Sequence, residues 1–173
     1  IAHAMIGRML ERSVGLAIAL TLAGCGPVIE GPQLGEVPSG LAYNTSITSA
    51  RSPLPGRPVA RQVAYLAPGG QDWTDSVIIT EYDGPVTLGE VAAARDGHET
   101  RYGRSARYGP LEPLTIAGRP GWAWTEAEPG GALTLNGVVS LDGKTYGIEL
   151  KIGRKEGRDL AAMSRMVASF HVP

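Results

Sequence analysis

The dipeptide Asp142-Gly143 lies between two runs of alternating apolar residues, and few folds accommodate that arrangement. A type I′ turn needs positive φ at both central positions. Glycine accepts this freely, aspartate tolerates it better than most residues, and the turn's twist matches that of paired strands. A tight hairpin is therefore predicted, and its two-residue turn sets the register. Val139 should face Tyr146, Leu135 should face Leu150 and Leu133 should face Ile152, all on one side of the ribbon. The other side carries Asn136, Ser140, Thr145, Glu149 and Lys151, a set that predicts a surface turned to water. Such a ribbon needs a second layer over its apolar face.

Further elements can be read on either side of the hairpin. Residues 76–82 contain the β-branched run Val77-Ile78-Ile79-Thr80 between Gly69-Gly70 and Asp83-Gly84-Pro85, which predicts a central strand. In residues 41–66, Pro53, Pro55 and Pro58 leave only 59–66 as an expected strand. Residues 114–126 predict one strand, or two broken at Gly118-Arg119-Pro120-Gly121, with Trp122 and Trp124 on one face. Thr87-Leu88-Gly89-Glu90 has capping-box spacing and should open a helix, with Leu88, Val91 and Ala92 on one side and its end near Gly97. Glu156 and Asp159 suit the start of a last helix, in which Leu160, Met163, Val167 and Phe170 form one apolar stripe. With 24 glycines and 13 prolines in 173 residues, the chain has room for one core and many turns. The expected fold class is α+β, an antiparallel β-sheet covered by helices, in a single globular domain over residues 41–173.

The N-terminal stretch has a different character. From Met5 the chain shows Arg8 and Arg12, an apolar run Val14-Gly15-Leu16-Ala17-Ile18-Ala19-Leu20-Thr21-Leu22, and then Ala23-Gly24-Cys25. A charged start, a short apolar run and small residues together make a secretory signal peptide. The run is about half of the ~20 residues a membrane-spanning helix needs. Leu22-Ala23-Gly24-Cys25 resembles the lipobox of bacterial lipoproteins. That resemblance implies a diacylglyceryl group on the Cys25 thiol, cleavage between Gly24 and Cys25, and attachment to a membrane through lipid. A thiolate is the nucleophile such a thioether needs. Residues 1–24 are then the lipoprotein signal peptide, and 25–40, rich in Gly and Pro, a flexible tether without secondary structure. Gly26, not aspartate, follows the cysteine. In a Gram-negative host this implies the outer membrane, facing the periplasm; in a Gram-positive host, the outside of the only membrane.

Several function classes lose support from composition. Formal charge is -1 with no dense basic run, which argues against nucleic acid as a partner. A single cysteine excludes an internal disulfide and a thiolate metal cluster. His98 and His171 are isolated among non-ligand neighbours, and no nucleophile elbow, phosphate loop or zinc motif occurs. No catalytic residue, cofactor or metal is therefore expected. His98 follows Gly97 at an expected helix end, where the dipole favours an imidazolium, and Trp73, Trp122 and Trp124 are expected as core bulk. Residues 97–111 predict a long loop bearing Arg101, Tyr102, Arg104, Arg107 and Tyr108, the residue types enriched at interface hot spots. That loop is the candidate partner-binding site.

Across residues 77–172 the order of strand, helix, long loop, Ile116-Ala117-Gly118-Arg119-Pro120-Gly121-Trp122, hairpin, terminal helix and Ala168-Ser169-Phe170 resembles the PsbP/Mog1-like domains. The stretch before Val77 departs from the usual opening of that family, an apolar strand leading into a Pro-Gly-Trp turn. The resemblance implies the sheet-and-helix architecture above. It also implies action by binding, since the family has no common reaction or cofactor and its members mostly bind other proteins. The expected function is that of a membrane-anchored bacterial envelope lipoprotein, non-enzymatic and protein-binding, with a protein partner of unknown identity. The alternatives are a periplasmic immunity protein against a delivered toxin, and an envelope lipid or cell-wall enzyme without a recognisable motif.

Overall fold

The structure, a computed structural model, describes residues 31–45, 47, 52–67, 75–102, 106–153 and 159–173. Cys25, the expected signal peptide, Trp73, Glu156 and Arg104 lie outside these residues, as do the side chains of Arg101 and Tyr102. In chain order the elements are β1 (Gln33–Leu34), β2 (Ala42–Asn44), β3 (Val59–Leu66), β4 (Asp75–Asp83), α1 (Leu88–Tyr102), β5 (Arg107–Tyr108), β6 (Glu112–Ile116), β7 (Arg119–Ala127), β8 (Leu133–Leu141), β9 (Lys144–Ile152), α2 (Leu160–Ala168) and β10 (Phe170–His171).

The hairpin forms in the expected register. Leu133 pairs with Ile152, Leu135 with Leu150 and Val139 with Tyr146, and Asp142 and Gly143 take φ of 49° and 80°. β4 pairs with β9 along its whole length, and β3 with β4, so residues 76–82 are central as predicted. All pairings are antiparallel, and the sheet runs β2-β3-β4-β9-β8-β7-β5, with β6 also on β7. The break between β6 and β7 is one residue earlier than expected. Ala117 and Gly118 form the turn at φ of 52° and 70°, and Arg119 and Pro120 already pair. Alanine carries no turn signal, so sequence could not place it.

One face of the sheet is closed by α2. Met163 and Val167 point into a core with Val63, Val77, Ile79, Leu135, Ile148, Leu150 and Phe170. Gly137 makes that approach possible, since a Cβ there would fall 2.6 Å from Val167 Cγ1. The Asp159 carboxylate caps α2 by accepting from the Ala161 amide at 3.0 Å. Two expectations for this helix change. Leu160 is exposed, and Phe170 leaves the helix to join β10 after the Ser169 cap. A stripe of helical spacing cannot reveal that the chain has turned a corner while still pointing the same way.

β10 pairs with β1, so part of the expected tether belongs to the folded body. Leu34 is buried and its amide donates to the Tyr65 hydroxyl at 3.0 Å, and the Gly35 and Glu36 amides donate to the Ser169 carbonyl and hydroxyl at 3.0 and 2.9 Å. A two-residue strand is too short to leave a period in sequence, which is why residues 33–34 read as linker.

The second face was expected to be wet, and it is not. Thr134, Asn136 and Thr145 are wholly buried and Glu149 nearly so. α1 and the turn at residues 52–58 lie over this face. Pro53 sits against Gly147, and Leu54 packs with Tyr82, Val91, Trp124 and Val138. Polar side chains on a strand read as solvent-facing only until another layer covers them.

The capping box at the head of α1 holds. The Thr87 amide donates to Glu90 Oε2 at 2.7 Å and the Glu90 amide to Thr87 Oγ1 at 3.3 Å. The Thr87 amide and the Thr87 hydroxyl, which donates to the same oxygen at 2.8 Å, hold the Glu90 carboxyl below its ordinary range, with Arg57 nearby adding to the effect. A lowered carboxyl supports the fold above the unfolded value of about 4.3 and loses that support as pH falls through its own lower value. Thr87→Ala should therefore reduce stability at neutral pH, and by less in acid, as urea unfolding at two pH values would read. Among the described residues no helix is long and apolar enough to cross a membrane.

Candidate functional site

α1 continues five residues past its expected end, and this determines the site. Gly97 was expected to cap the helix, yet residues 98–102 remain helical. The cause is tertiary. Val91, Ala94 and His98 follow one another on the sheet-facing side, and His98, 2% exposed, is fixed from three directions. Its Nε2 lies 2.9 Å from the Ser52 carbonyl, its own carbonyl accepts from Tyr108 Oη at 3.2 Å, and its ring meets Trp124 edge-on at 5.9 Å. The dipole-stabilised helix-end imidazolium expected here gives way to a buried ring in mid-helix.

The donors determine what this histidine can do. A carbonyl only accepts, so Nε2 carries the hydrogen, and Nδ1 faces Glu126 Oε2 at 4.0 Å. A histidine acting as a general base offers its free nitrogen to substrate while a carboxylate holds the other. Here Nε2 is tied to the Ser52 backbone, so the ring is a fastening of α1 to the 52–58 turn. Tyr108 completes it, since its hydroxyl also lies 3.5 Å from Glu126 Oε1.

Around this point the covered face is polar. Trp124 pairs with Asn136 and Glu126 with Thr134, and Asn136 pairs in turn with Glu149. Trp124 Nε1, Thr134 Oγ1 and both amide atoms of Asn136 have no hydrogen-bond partner among the described residues. No three His, Cys, Asp or Glu side chains among the described residues are grouped to hold a metal ion.

Beside the fastening runs a groove of about 510 Å³, open to solvent, between the 54–58 turn and α1. Its floor is Ala93, Ala94 and Gly97, and its walls include Leu54, Pro55, Pro58 and Val86. Arg57 and Glu90 stand at one end, 3.5 Å apart. Arg57 also donates through Nη2 to the carbonyls of Asp83, Gly84 and Pro85, at 2.7, 3.0 and 2.9 Å, so it pins the turn to the head of α1. Burial pushes the Tyr82 phenol up, and its oxygen is bonded to Ser52 Oγ at the base of the same turn.

Of the five candidate loop residues, Arg104 lies outside the described ones, and the other four are dispersed by this arrangement. Arg101 and Tyr102 belong to the last turn of α1, with Arg101 one turn beyond the groove residue Gly97. Arg107 and Tyr108 form β5 on β7, with Arg107 exposed and Tyr108 turned inward to His98. Sequence missed Arg95, whose Nε and Nη2 both reach the Gly109 carbonyl at 3.1 Å and tie α1 to this edge. It missed Arg57 and Ser52 as well, since both lie in a proline-rich stretch without periodicity. Trp124 is core bulk as expected, while Trp122 is only partly buried.

The antiparallel sheet, with α2 over one face and α1 over the other, has a PsbP-like fold. Among solved structures the chain is similar to the solution structure of cyanobacterial PsbP (CyanoP) from Synechocystis sp. PCC 6803, at 15% identity and a TM-score of 0.54, covering 88% of this chain and 99% of that one. At that identity the likeness extends to the fold alone. No family model and no curated protein matches the chain.

Proposed function

We propose that this chain is the precursor of a bacterial envelope lipoprotein, cut between Gly24 and Cys25, whose PsbP-like domain binds a protein partner. The observation that carries the proposal is the direct junction of the apolar run 14–22 with Leu22-Ala23-Gly24-Cys25, where a lipid acceptor has to lie. In a Gram-negative host the domain then works in the periplasm from the outer membrane. Binding is the favoured activity because the histidine of the covered face is tied at Nε2, while an apolar groove beside it stays open. The exposed Arg107, with Arg101 and Arg104 close to it in sequence, suits a glutamate-rich partner surface.

The test fills the groove without loosening the fold. A Cβ at Gly97 meets nothing within 4 Å, so Gly97→Leu should place its side chain in the groove and raise stability by about 1 kcal/mol through helix propensity. Crosslinking in the native envelope should recover one partner with the natural chain and lose it with Gly97→Leu and with the triple change of Arg101, Arg104 and Arg107 to alanine. Undiminished capture by both variants would remove the groove and the arginines from the account. Turnover of an envelope lipid or cell-wall substrate by the purified domain would contradict the binding role.

A further inference from the structure

Granted lipid on Cys25, the reading proposed above, only residues 25–30 separate the lipid from the described body. Residues 31–36 are fastened: Pro32 accepts from the Tyr43 hydroxyl at 3.1 Å, Leu34 is buried, and Gly35 and Glu36 hold Ser169. Gly31 passes so close over Arg61 that a Cβ there would fall 2.5 Å from Nη2. Whatever conformation residues 25–30 adopt, the path from Cys25 to Gly31 spans at most about 21 Å. A nine-residue strand of this sheet is about 30 Å long, so the leash is shorter than the domain.

Gly31 lies at a definite end of the sheet. Arg61 pairs with Glu81 near the start of β3, Lys144 at the start of β9 pairs with Asp83, and the 142–143 turn and Arg119 adjoin them. β1 and β10 pair Gln33 with His171 and Leu34 with Phe170, so Pro32 and Val172 are the next residues along the two segments toward Gly31. Two of the exposed large apolar side chains, Val59 at 47% and Val172 at 45%, belong to this end. We infer that this end of the sheet is a membrane-contact surface, held against lipid headgroups by the docked N-terminal segment. The opposite end, with the turn at Gly130 and Gly131, then points away from the bilayer. Charges at this end are mixed, with Lys144 bonded to Glu81 and paired with Asp83, and Arg61 paired with Glu81. The contact is therefore set by the leash and the apolar side chains, and it should survive high salt.

The full lipidated chain tests this in vesicles of phosphatidylethanolamine and phosphatidylglycerol carrying a nitroxide on the headgroup. Since lipid occupies Cys25, a fluorophore can be placed singly through Arg119→Cys or Gly130→Cys, both exposed sites. Emission should fall several-fold at position 119 and stay nearly unchanged at 130, at low and high salt. Inserting about twenty Gly/Ser residues after Gly26 should abolish the difference. Equal quenching at both positions, or none at 119, in protein whose acyl mass is verified, would overturn the contact surface and leave the lipoprotein reading standing. Absence of the acyl mass would overturn both.

Discussion

Trp124→Ala should lower the stability of the domain by about 3–5 kcal/mol, the largest loss expected from one side chain in this fold. Trp124 is 1% exposed and lies where β7, α1 and the 52–58 turn converge, against Leu54, Val91, Val138 and the His98 ring. Truncation leaves a cavity that three separate elements would have to close, and strands paired on both sides cannot shift to fill it. The indole nitrogen has no hydrogen-bond partner among the described residues, so its burial is already unfavourable. Trp124→Phe keeps most of the ring and removes that donor, and should cost roughly half as much or less. Urea unfolding of the two variants separates the contributions. Equal losses would show that Trp124 acts through its nitrogen and not through its bulk.

How much of this could be read in advance depended on whether the determining interaction was local. Asp142-Gly143 set a register that the hairpin follows pair by pair, because turn chemistry and alternation act within one ribbon. The Thr87 and Glu90 cap, and the bounds of β3, were legible for the same reason. The covered second face was not. Asn136, Thr145 and Glu149 are polar residues on alternate positions, and nothing in their own strands announces that this face will be covered, as it is where Pro53 meets Gly147. Gly97 reads as a helix end until His98 is seen bonded to Ser52, a partner 46 residues away. For the site, sequence named Tyr108 and Arg107 but assigned both to one solvent-facing loop, whereas strand alternation sends one inward and one outward.

Cys25→Ala should move the protein almost entirely from the membrane to the soluble fraction. Each buried methylene contributes about 0.8 kcal/mol, so a diacylglyceryl group holds a chain durably, and no described helix is long and apolar enough to cross a membrane in its place. Cys25→Ser should fail equally, because a hydroxyl at neutral pH lacks the nucleophilicity of a thiolate. Fractionation in a host with a lipoprotein pathway checks both. The folded domain should be unaffected, since Cys25 precedes the first fastened residues, and the urea midpoints of the natural and alanine forms should agree.

The mass of the intact mature protein taken from a bacterial envelope tests the lipid anchor most directly. The expected mass is that of a chain that begins at Cys25 and carries a thioether-linked diacylglyceryl group. A mature chain that keeps residues before 25, or one with a free thiol at Cys25, would contradict it.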